Sequence, residues 1–289
     1  MSGFNSAYLR AKQAVDSRSR NQRVWNRFVQ ELEQGFRPKR ILDLGAGSGA
    51  FFAELLSGTT LRDLVYIPLD ADGDLLKELV RSQNKDLLTE RNIQIEPQEA
   101  RLETFLQQSK DHYDLILTNA FLDLVNLRSL ATPLFKLLTP GGMLYSTLLF
   151  DGVTTFLPEL DSALDQQVEH LYHASMIQEG KSGYKAGRTL LALLMNSDLT
   201  ILETGSSDWA IVPSHGTYES DEEALLAAIL DFHQEVLQRW ISVTDERDHT
   251  PEAEHTAAAV QNWLKTRRNQ FYEGRLALLT HQWDVLVRK

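Results

Sequence analysis

Apolar positions in the first part of the chain recur at helical spacing: Tyr8, Val15, Val24, Trp25, Phe28, Val29 and Leu32 predict one or two amphipathic helices between Ser6 and Gln34. Pro38 interrupts that pattern, and Arg40-Ile-Leu-Asp-Leu44 reads as a short buried strand. From there the period alternates. Helices are expected at Ala50–Ser57, Gly73–Asn84 and Leu127–Leu138, with strands at Leu64–Leu69, near Ile93–Glu96, at Tyr113–Thr118 and at Met143–Phe150. Thr139-Pro-Gly-Gly142 reads as the turn before the last of these. Strands alternating with helices predict a parallel sheet covered on both faces.

Beyond Asp151 the regular spacing breaks down. Residues 152–182 read as a loop plus a long helix, Glu159–Glu179, and Gly187–Asn196 as another helix. Leu199–Val212 reads as a strand interrupted at Gly-Ser-Ser, Glu219–Asn269 as an acidic helical stretch, and Leu276–Val287 as a closing strand. The expected organisation is an N-terminal helical arm at 1–39, a core at 40–150, and a remainder at 151–289. In that remainder, helical insertions at about 152–182 and 219–269 would cap a substrate pocket.

Composition narrows the chemistry. The 289 residues include no cysteine, which excludes structural disulfides, thiolate zinc sites, thiol nucleophiles and cysteine-held iron–sulfur clusters. The net charge of −11 argues against nucleic acid as a partner. Residues 1–40 nevertheless hold nine Lys/Arg against three Asp/Glu, a net of +6, which leaves −17 for the rest. That basic arm suits an anionic small-molecule substrate, and it equally suits a solvated helix face. No apolar run approaches the roughly 20 residues of a membrane-spanning helix, and the first residues have no signal-peptide pattern. A cytoplasmic protein is expected.

The strongest chemical signal is Ile41-Leu-Asp-Leu-Gly-Ala-Gly-Ser-Gly-Ala50, a buried strand running into three glycines at alternate positions and then a helix. Glycine there permits a tight turn and the approach of a ligand to the backbone. The segment resembles motif I of the class I S-adenosylmethionine-dependent methyltransferases. A dinucleotide-binding loop spaces its glycines G-x-G-x-x-G; here Gly49 falls at that pattern's variable position, with Phe51 or Phe52 where it would place small residues. Asp70 closes the second strand about 20 residues on, where an acid can hold ribose hydroxyls. Asp72 is the alternative if the strand ends later.

Three further segments resemble that family. Glu99-Ala-Arg101 matches the turn along the adenine, Tyr113 to Asp123 matches motif IV, and Leu137-Leu-Thr-Pro-Gly-Gly-Met143 matches the turn before the fifth strand. Asn119-Ala-Phe121 lacks the Asn/Asp-Pro-Pro-aromatic motif of enzymes that methylate adenine or glutamine amino groups. The shorter segments Phe150-Asp-Gly-Val153, Ser206-Ser-Asp-Trp209 and His281-Gln-Trp-Asp284 are similar to those of bacterial and archaeal members without an assigned substrate.

The resemblance implies a Rossmann-like α/β fold, with a mostly parallel seven-stranded sheet, an antiparallel last strand and helical cap insertions. It implies S-adenosyl-L-methionine as cofactor, held by Asp43, Gly45, Ala46, Gly47, Gly49, Asp70, Ala71, Ala100, Arg101, Asn119 and Ala120. Methyl transfer to an oxygen of a small molecule is expected, and an oxygen acceptor calls for a base. The candidates are Asp151, just after the fifth strand, and His170 and His173, three apart on one helix. No metal is expected. A non-catalytic protein that binds the cofactor, and an NAD(P)-dependent oxidoreductase, remain the alternatives.

Overall fold

The computed structural model describes residues 6–177, 181–247 and 250–289. The chain begins with α1 (Ser6–Ser19), α2 (Gln22–Glu33), β1 (Arg40–Leu44), α3 (Ala50–Gly58), β2 (Leu64–Asp70), α4 (Gly73–Ser82) and α5 (Lys85–Glu90). Next come β3 (Ile93–Ile95), β4 (Gln98–Glu99), α6 (Leu102–Gln108), β5 (Tyr113–Asn119), α7 (Leu127–Lys136) and β6 (Leu138–Leu157). The remainder is α8 (Ser162–Met176), α9 (Ala186–Met195), β7 (Thr200–Ser206), β8 (Trp209–Ile211), α10 (Ser220–Arg247), α11 (Pro251–Tyr272) and β9 (Ala277–Arg288). These elements form two compact units. The sheet unit holds Arg20–Asp151, Gly180–Ser207 and Gln282–Lys289; the helical unit holds Met1–Ser19, Gly152–Glu179 and Asp208–His281. The basic N-terminal arm is therefore shared, with α1 in the helical unit and α2 in the sheet unit.

In the sheet unit the strand order is β3-β2-β1-β5-β6-β9-β7, and the short β4 pairs with β2. Strands β1, β2, β3, β4, β5 and β6 pair in parallel, while β7 and β9 run antiparallel. The fold class is thus the expected Rossmann-like one. The seven strands of that path match the expected number, and β4 and the short β8, which pairs with β9, bring the total to nine. The central strands are apolar on both sides because both faces are covered. Leu42, Leu44, Ile67, Leu69 and Ile116 pack into one core, and Ile41, Tyr66, Leu115 and Leu117 into another.

The chain leaves β1 for β2 and β3 on one side, then returns to β5 on the other. This places the reversal of strand order between β1 and β5, where such sheets form a crevice at the carboxyl ends of the strands. Helix α2 covers part of the second core through Val24, Phe28 and Leu32, four residues apart on one face. Asn21 starts it, its side chain accepting from the backbone N–H groups of Arg23 and Val24 at 3.0 and 3.2 Å.

Several expected boundaries move for local reasons. The helix expected at Gly73–Asn84 stops at Ser82, because the Asn84 side chain caps a new helix by accepting from the Leu87 N–H at 3.1 Å. Thr139-Pro-Gly-Gly142 lies within β6 as a bulge: Tyr113 pairs with Leu138 and Leu115 with Met143. The strand also continues past Asp151 to Leu157, where a loop was expected. Gly152, Thr154 and Phe156 are buried while Val153 and Leu157 are exposed. That is a period-two pattern carried partly by threonine, which suits a strand without being apolar.

The helical unit has its own core of Val15, Phe156, Val168, Trp209, Leu230 and Trp263 with their neighbours, and β8 pairs antiparallel with β9 at Trp209↔Thr280. The helix expected at Glu159–Glu179 begins at Ser162, capped by Asp161 through Leu164 N–H at 2.9 Å; its expected end at Glu179 lies outside the described residues. The acidic stretch is two helices, α10 and α11. Arg267 has a fully buried side chain, and donates to Asp165 at 2.7 Å and to the Pro158 carbonyl at 2.6 Å. Among the described residues no helix is long and apolar enough to cross a membrane.

Candidate functional site

The three glycines after β1 are required for three different reasons. At Gly45 (φ +65°) a side chain would collide with the ring of Phe121, which lies directly on this glycine. At Gly49 (φ +77°) a Cβ would come within 2.5 Å of Leu79 and 2.8 Å of Gln83, so a bare backbone lets α4 close on the start of α3. Gly47 (φ +53°) faces open space, with nothing within 4 Å of a Cβ placed there. Its N–H donates to Asp70 Oδ2 at 2.9 Å.

Asp70 ends β2 at the carboxyl edge of the sheet, and its other oxygen accepts from the Asp72 N–H at 3.0 Å. Asp72 itself caps α4 through the N–H groups of Asp74 and Leu75. The two acids therefore divide the duties that the sequence left open between them: Asp72 starts the helix, and Asp70 faces the glycine loop. Glu99 pairs with Asp70 in the sheet register, and its carboxylate lies against Gly73.

Beneath the loop, Asp43 is 3 % exposed and accepts from the Tyr66 hydroxyl at 2.6 Å. Tyr66 is held flat against Phe52, with ring centroids 3.5 Å apart. Burial pushes the Asp43 carboxyl up to about 7, the Tyr66 hydrogen bond opposes that rise, and the nearby Asp70 charge adds to it. Burial likewise raises the Tyr66 phenol well above its ordinary value.

Across the switch point, Asn119 ends β5 and Ala120 follows it. The Thr147 hydroxyl donates to Asn119 Oδ1 at 2.8 Å, and Ala120 N–H donates to the Thr147 carbonyl at 3.0 Å. Ala120 has φ +49°, a left-handed conformation rare outside glycine, and it directs the chain into Phe121. The neighbouring Leu148 (φ +55°) is pinned by Asp284, whose buried carboxylate accepts from Leu148 N–H and Asn21 N–H, each at 2.7 Å.

The remaining cofactor candidates sit beside these. Ala46 is half-buried, Ala71 is exposed, and Ala100 donates its N–H to the Asp70 carbonyl at 3.0 Å. Arg101 is exposed and starts α6, with Glu103 near its guanidinium. Asp43, the glycines, Asp70, Ala100, Asn119 and Ala120 thus gather at one sheet edge. Tyr66, Phe121, Thr147 and Asp284 join them without having been singled out from sequence. Phe121 was visible only as the residue after Asn119-Ala; Tyr66 could have been found by pairing β1 with β2, where it lies on the Asp43 side.

The acid–base candidates are furnished differently. Asp151 is buried, and its Oδ1 accepts from Arg188 N–H at 2.8 Å and Arg188 Nε at 2.9 Å, while Trp283 Nε1 lies 3.3 Å from Oδ2. Gly187 allows this close approach, since a Cβ there would meet Trp283 and Asp151. Arg188 is thereby engaged by Asp151 rather than presented as an isolated surface cation. In the helical unit His170 is exposed on α8, whereas His173 is buried, with Nε2 3.1 Å from the Thr154 hydroxyl and Nδ1 3.9 Å from Glu169. Trp209 is buried in the helical core and donates to Asp16 at 3.0 Å. Among the described residues no group of three His, Cys, Asp or Glu could hold a metal ion. Several arginines of the basic arm pair within the protein: Arg18 with Glu222, Arg20 with Glu54, Arg23 with Glu203 and Arg27 with Glu31.

A glycine loop and the strand-end carboxylate of Asp70 lie together at the switch point of a mostly parallel sheet, above the buried Asp43. The chain belongs to the family described as methyltransferase domain, whose model matches residues 17–204. It is a class I methyltransferase, an enzyme of the group that takes its methyl from S-adenosylmethionine.

Among solved structures, a provisionally assigned methyltransferase from Bacillus halodurans C-125 is 14% identical, with a TM-score of 0.50 over 90% of this chain and 98% of that one. An S-adenosylmethionine-dependent methyltransferase from Geobacter sulfurreducens, in complex with S-adenosyl-L-homocysteine, is 13% identical (TM-score 0.44, 96% of this chain and 97% of that one). Coclaurine N-methyltransferase, bound to N-methylheliamine and S-adenosylhomocysteine, is 14% identical (TM-score 0.45, 91% and 70%). No curated protein matches this sequence.

Proposed function

We propose that this enzyme transfers the methyl group of S-adenosylmethionine to an oxygen of a small molecule. The observation that carries the donor site is Gly47: open on its outer side, in a positive-φ turn, and tied by its N–H to Asp70 at the strand edge. Asp70 keeps carboxylate lone pairs for ribose hydroxyls, since each oxygen holds one backbone N–H. Asp43 is positioned to favour the methionyl ammonium, and Ala100 and Arg101 flank the adenine. The bound cofactor supplies an electrophilic methyl on a good leaving group; the protein's task is to align the acceptor and exclude water.

An oxygen acceptor is favoured by Asn119-Ala-Phe121. That segment lacks the paired prolines of the amino-group enzymes, and the Asn119 side-chain oxygen already accepts from Thr147. Of the three base candidates, His173 has the arrangement of a positioned imidazole, with a hydroxyl on one nitrogen and a carboxylate facing the other. In this reading Asp151 acts by holding Arg188, and the exposed His170 is the least constrained of the three.

Calorimetry with S-adenosylmethionine tests the donor site. Binding by the native enzyme and none by Gly47→Arg is expected; equal behaviour of the two overturns the reading. Incubating a metabolite extract with methyl-13C-labelled donor then identifies the attacked atom by carbon NMR. An O-methyl signal is expected, and an N-methyl or C-methyl signal alone overturns the oxygen assignment.

A further inference from the structure

The helical unit contains a cavity of about 130 Å³ between the end of β6, α8, α10 and α11. Its wall includes the rings of Phe156, His233 and Trp263, and the carboxyl-bearing residues Glu159 and Glu169. His233 lies on α10 and is fully buried. Its ring stacks on Tyr172 at 3.6 Å and meets Phe156 edge-on at 5.0 Å.

The hydrogen bonding of His233 determines its tautomer. Nδ1 lies 2.8 Å from the Ile229 carbonyl oxygen, which can only accept, so Nδ1 carries the proton. Burial holds the imidazole neutral by pushing its pKa down to about 3. Nε2 is then a bare acceptor, buried and without a partner among the described residues. His233 lines the cavity, so this acceptor can take a hydrogen bond from a bound donor.

The charge around it states what kind of donor. Asp165, also in the wall, is neutralised by Arg267 at 2.7 Å, while Glu169 accepts from the Thr154 backbone N–H at 3.0 Å and faces His173 at 3.9 Å, with no Lys or Arg paired to it among the described residues. Glu159 is exposed at the wall. Arg267 already lies over the Phe156 and Trp263 rings, at 5.9 and 5.1 Å from their centroids, so it is the carboxylates of Glu159 and Glu169 that suit a cation more than an anion.

We propose that this cavity binds a small amine with an apolar body, the nitrogen donating to His233 Nε2 and to Glu169 and the body lying against Phe156 and Trp263. The volume limits the buried part to one small ring or a short chain. The site is a property of the helical unit and does not rest on the methyl-transfer reading, so it is tested without cofactor.

Benzylamine, benzyl alcohol and toluene share one body and differ in their donor, and each is titrated calorimetrically into the full chain. Benzylamine is expected to bind at least tenfold more tightly than toluene, with benzyl alcohol between them. His233→Phe, which keeps a ring on Tyr172, and Glu169→Gln should each reduce that preference several-fold. Nitrogen NMR of the native protein reads the contact directly, since the unprotonated Nε2 resonance of His233 should move with benzylamine and not with toluene. Equal binding of the three probes, no binding of benzylamine, or an unmoved Nε2 resonance overturns the proposal. So does a crystal structure in which benzylamine leaves the cavity filled by water alone.

Discussion

Asp43→Asn should change the pH dependence of stability more than its level at low pH. The carboxyl ionises near 4 in the unfolded chain and at about 7 in the folded one, chiefly because it is buried. The difference is about three units, each corresponding to ~1.4 kcal/mol, so ionised Asp43 disfavours the cofactor-free fold by roughly 4 kcal/mol. A raised folded value means that the folded state holds the extra proton. This contribution is therefore fully favourable below pH ~4 and is lost as pH rises through about 7. Asparagine cannot titrate, yet its oxygen can still accept from Tyr66. Urea unfolding of both proteins without cofactor, from pH 4.5 to 8.5, should show the variant gaining on the native protein by about 1.4 kcal/mol per pH unit up to neutrality. The gain should flatten above it. A difference that stays constant within about 1 kcal/mol across that range refutes the reasoning. If the methionyl ammonium faces Asp43, donor affinity of the native enzyme should also fall as pH drops below 7, and the variant should lose that dependence.

Gly45→Ala should cost about 1–3 kcal/mol in urea unfolding, because its Cβ meets the Phe121 ring at φ +65°. Gly141→Ala, at φ +80° with open space around it, should cost only about 1 kcal/mol. Asp284→Asn keeps one acceptor oxygen for two backbone donors, Leu148 and Asn21, so one buried N–H loses its partner. Thermal unfolding should register about 1–3 kcal/mol of destabilisation, and an unchanged midpoint would refute the pinning role. Asp165→Asn leaves the fully buried Arg267 side chain without its countercharge and should cost about 3–5 kcal/mol. Its partners hold the Asp165 carboxyl below its ordinary value. The native protein should therefore lose this stabilisation as pH falls through that lowered value, which a pH series of melting curves would show.

Much of the sheet unit was legible because its elements carry strong, separate periodicities. The strands β1, β2 and β5, five to seven residues long, are mostly apolar and buried on both faces, which leaves no competing helical pattern. The elements misjudged are those whose signal is not hydrophobic. The tail of β6 alternates through Thr154 and Phe156, so a scale that ranks threonine as polar reads a loop there. The break between α4 and α5 depends on one capping side chain, Asn84, inside a stretch that is otherwise continuously helical in composition. The division of the N-terminal arm was hidden for another reason. α1 and α2 both carry several arginines, and what separates them is the long-range set of partners each acquires: Glu222 for Arg18 of α1, Glu203 for Arg23 of α2.

The candidate site shows the same limit more sharply. Gly45, Gly47 and Gly49 are one repeating motif in sequence, but Phe121 occupies the first, open space the second, and Leu79 with Gln83 the third. A spacing pattern reports that three side chains are forbidden; it does not report what forbids them. That information sits 30 to 80 residues away, in residues whose own local signals are ordinary. Phe121 follows an alanine held at φ +49°, and that alanine is held in turn by Thr147 on the neighbouring strand. Next along that strand, Leu148 is fixed by a buried carboxylate, Asp284, near the far end of the chain. The motif is therefore the visible end of a network that runs β5, β6, β9. Of the three glycines, Gly47 alone would leave an added Cβ with no neighbour within 4 Å.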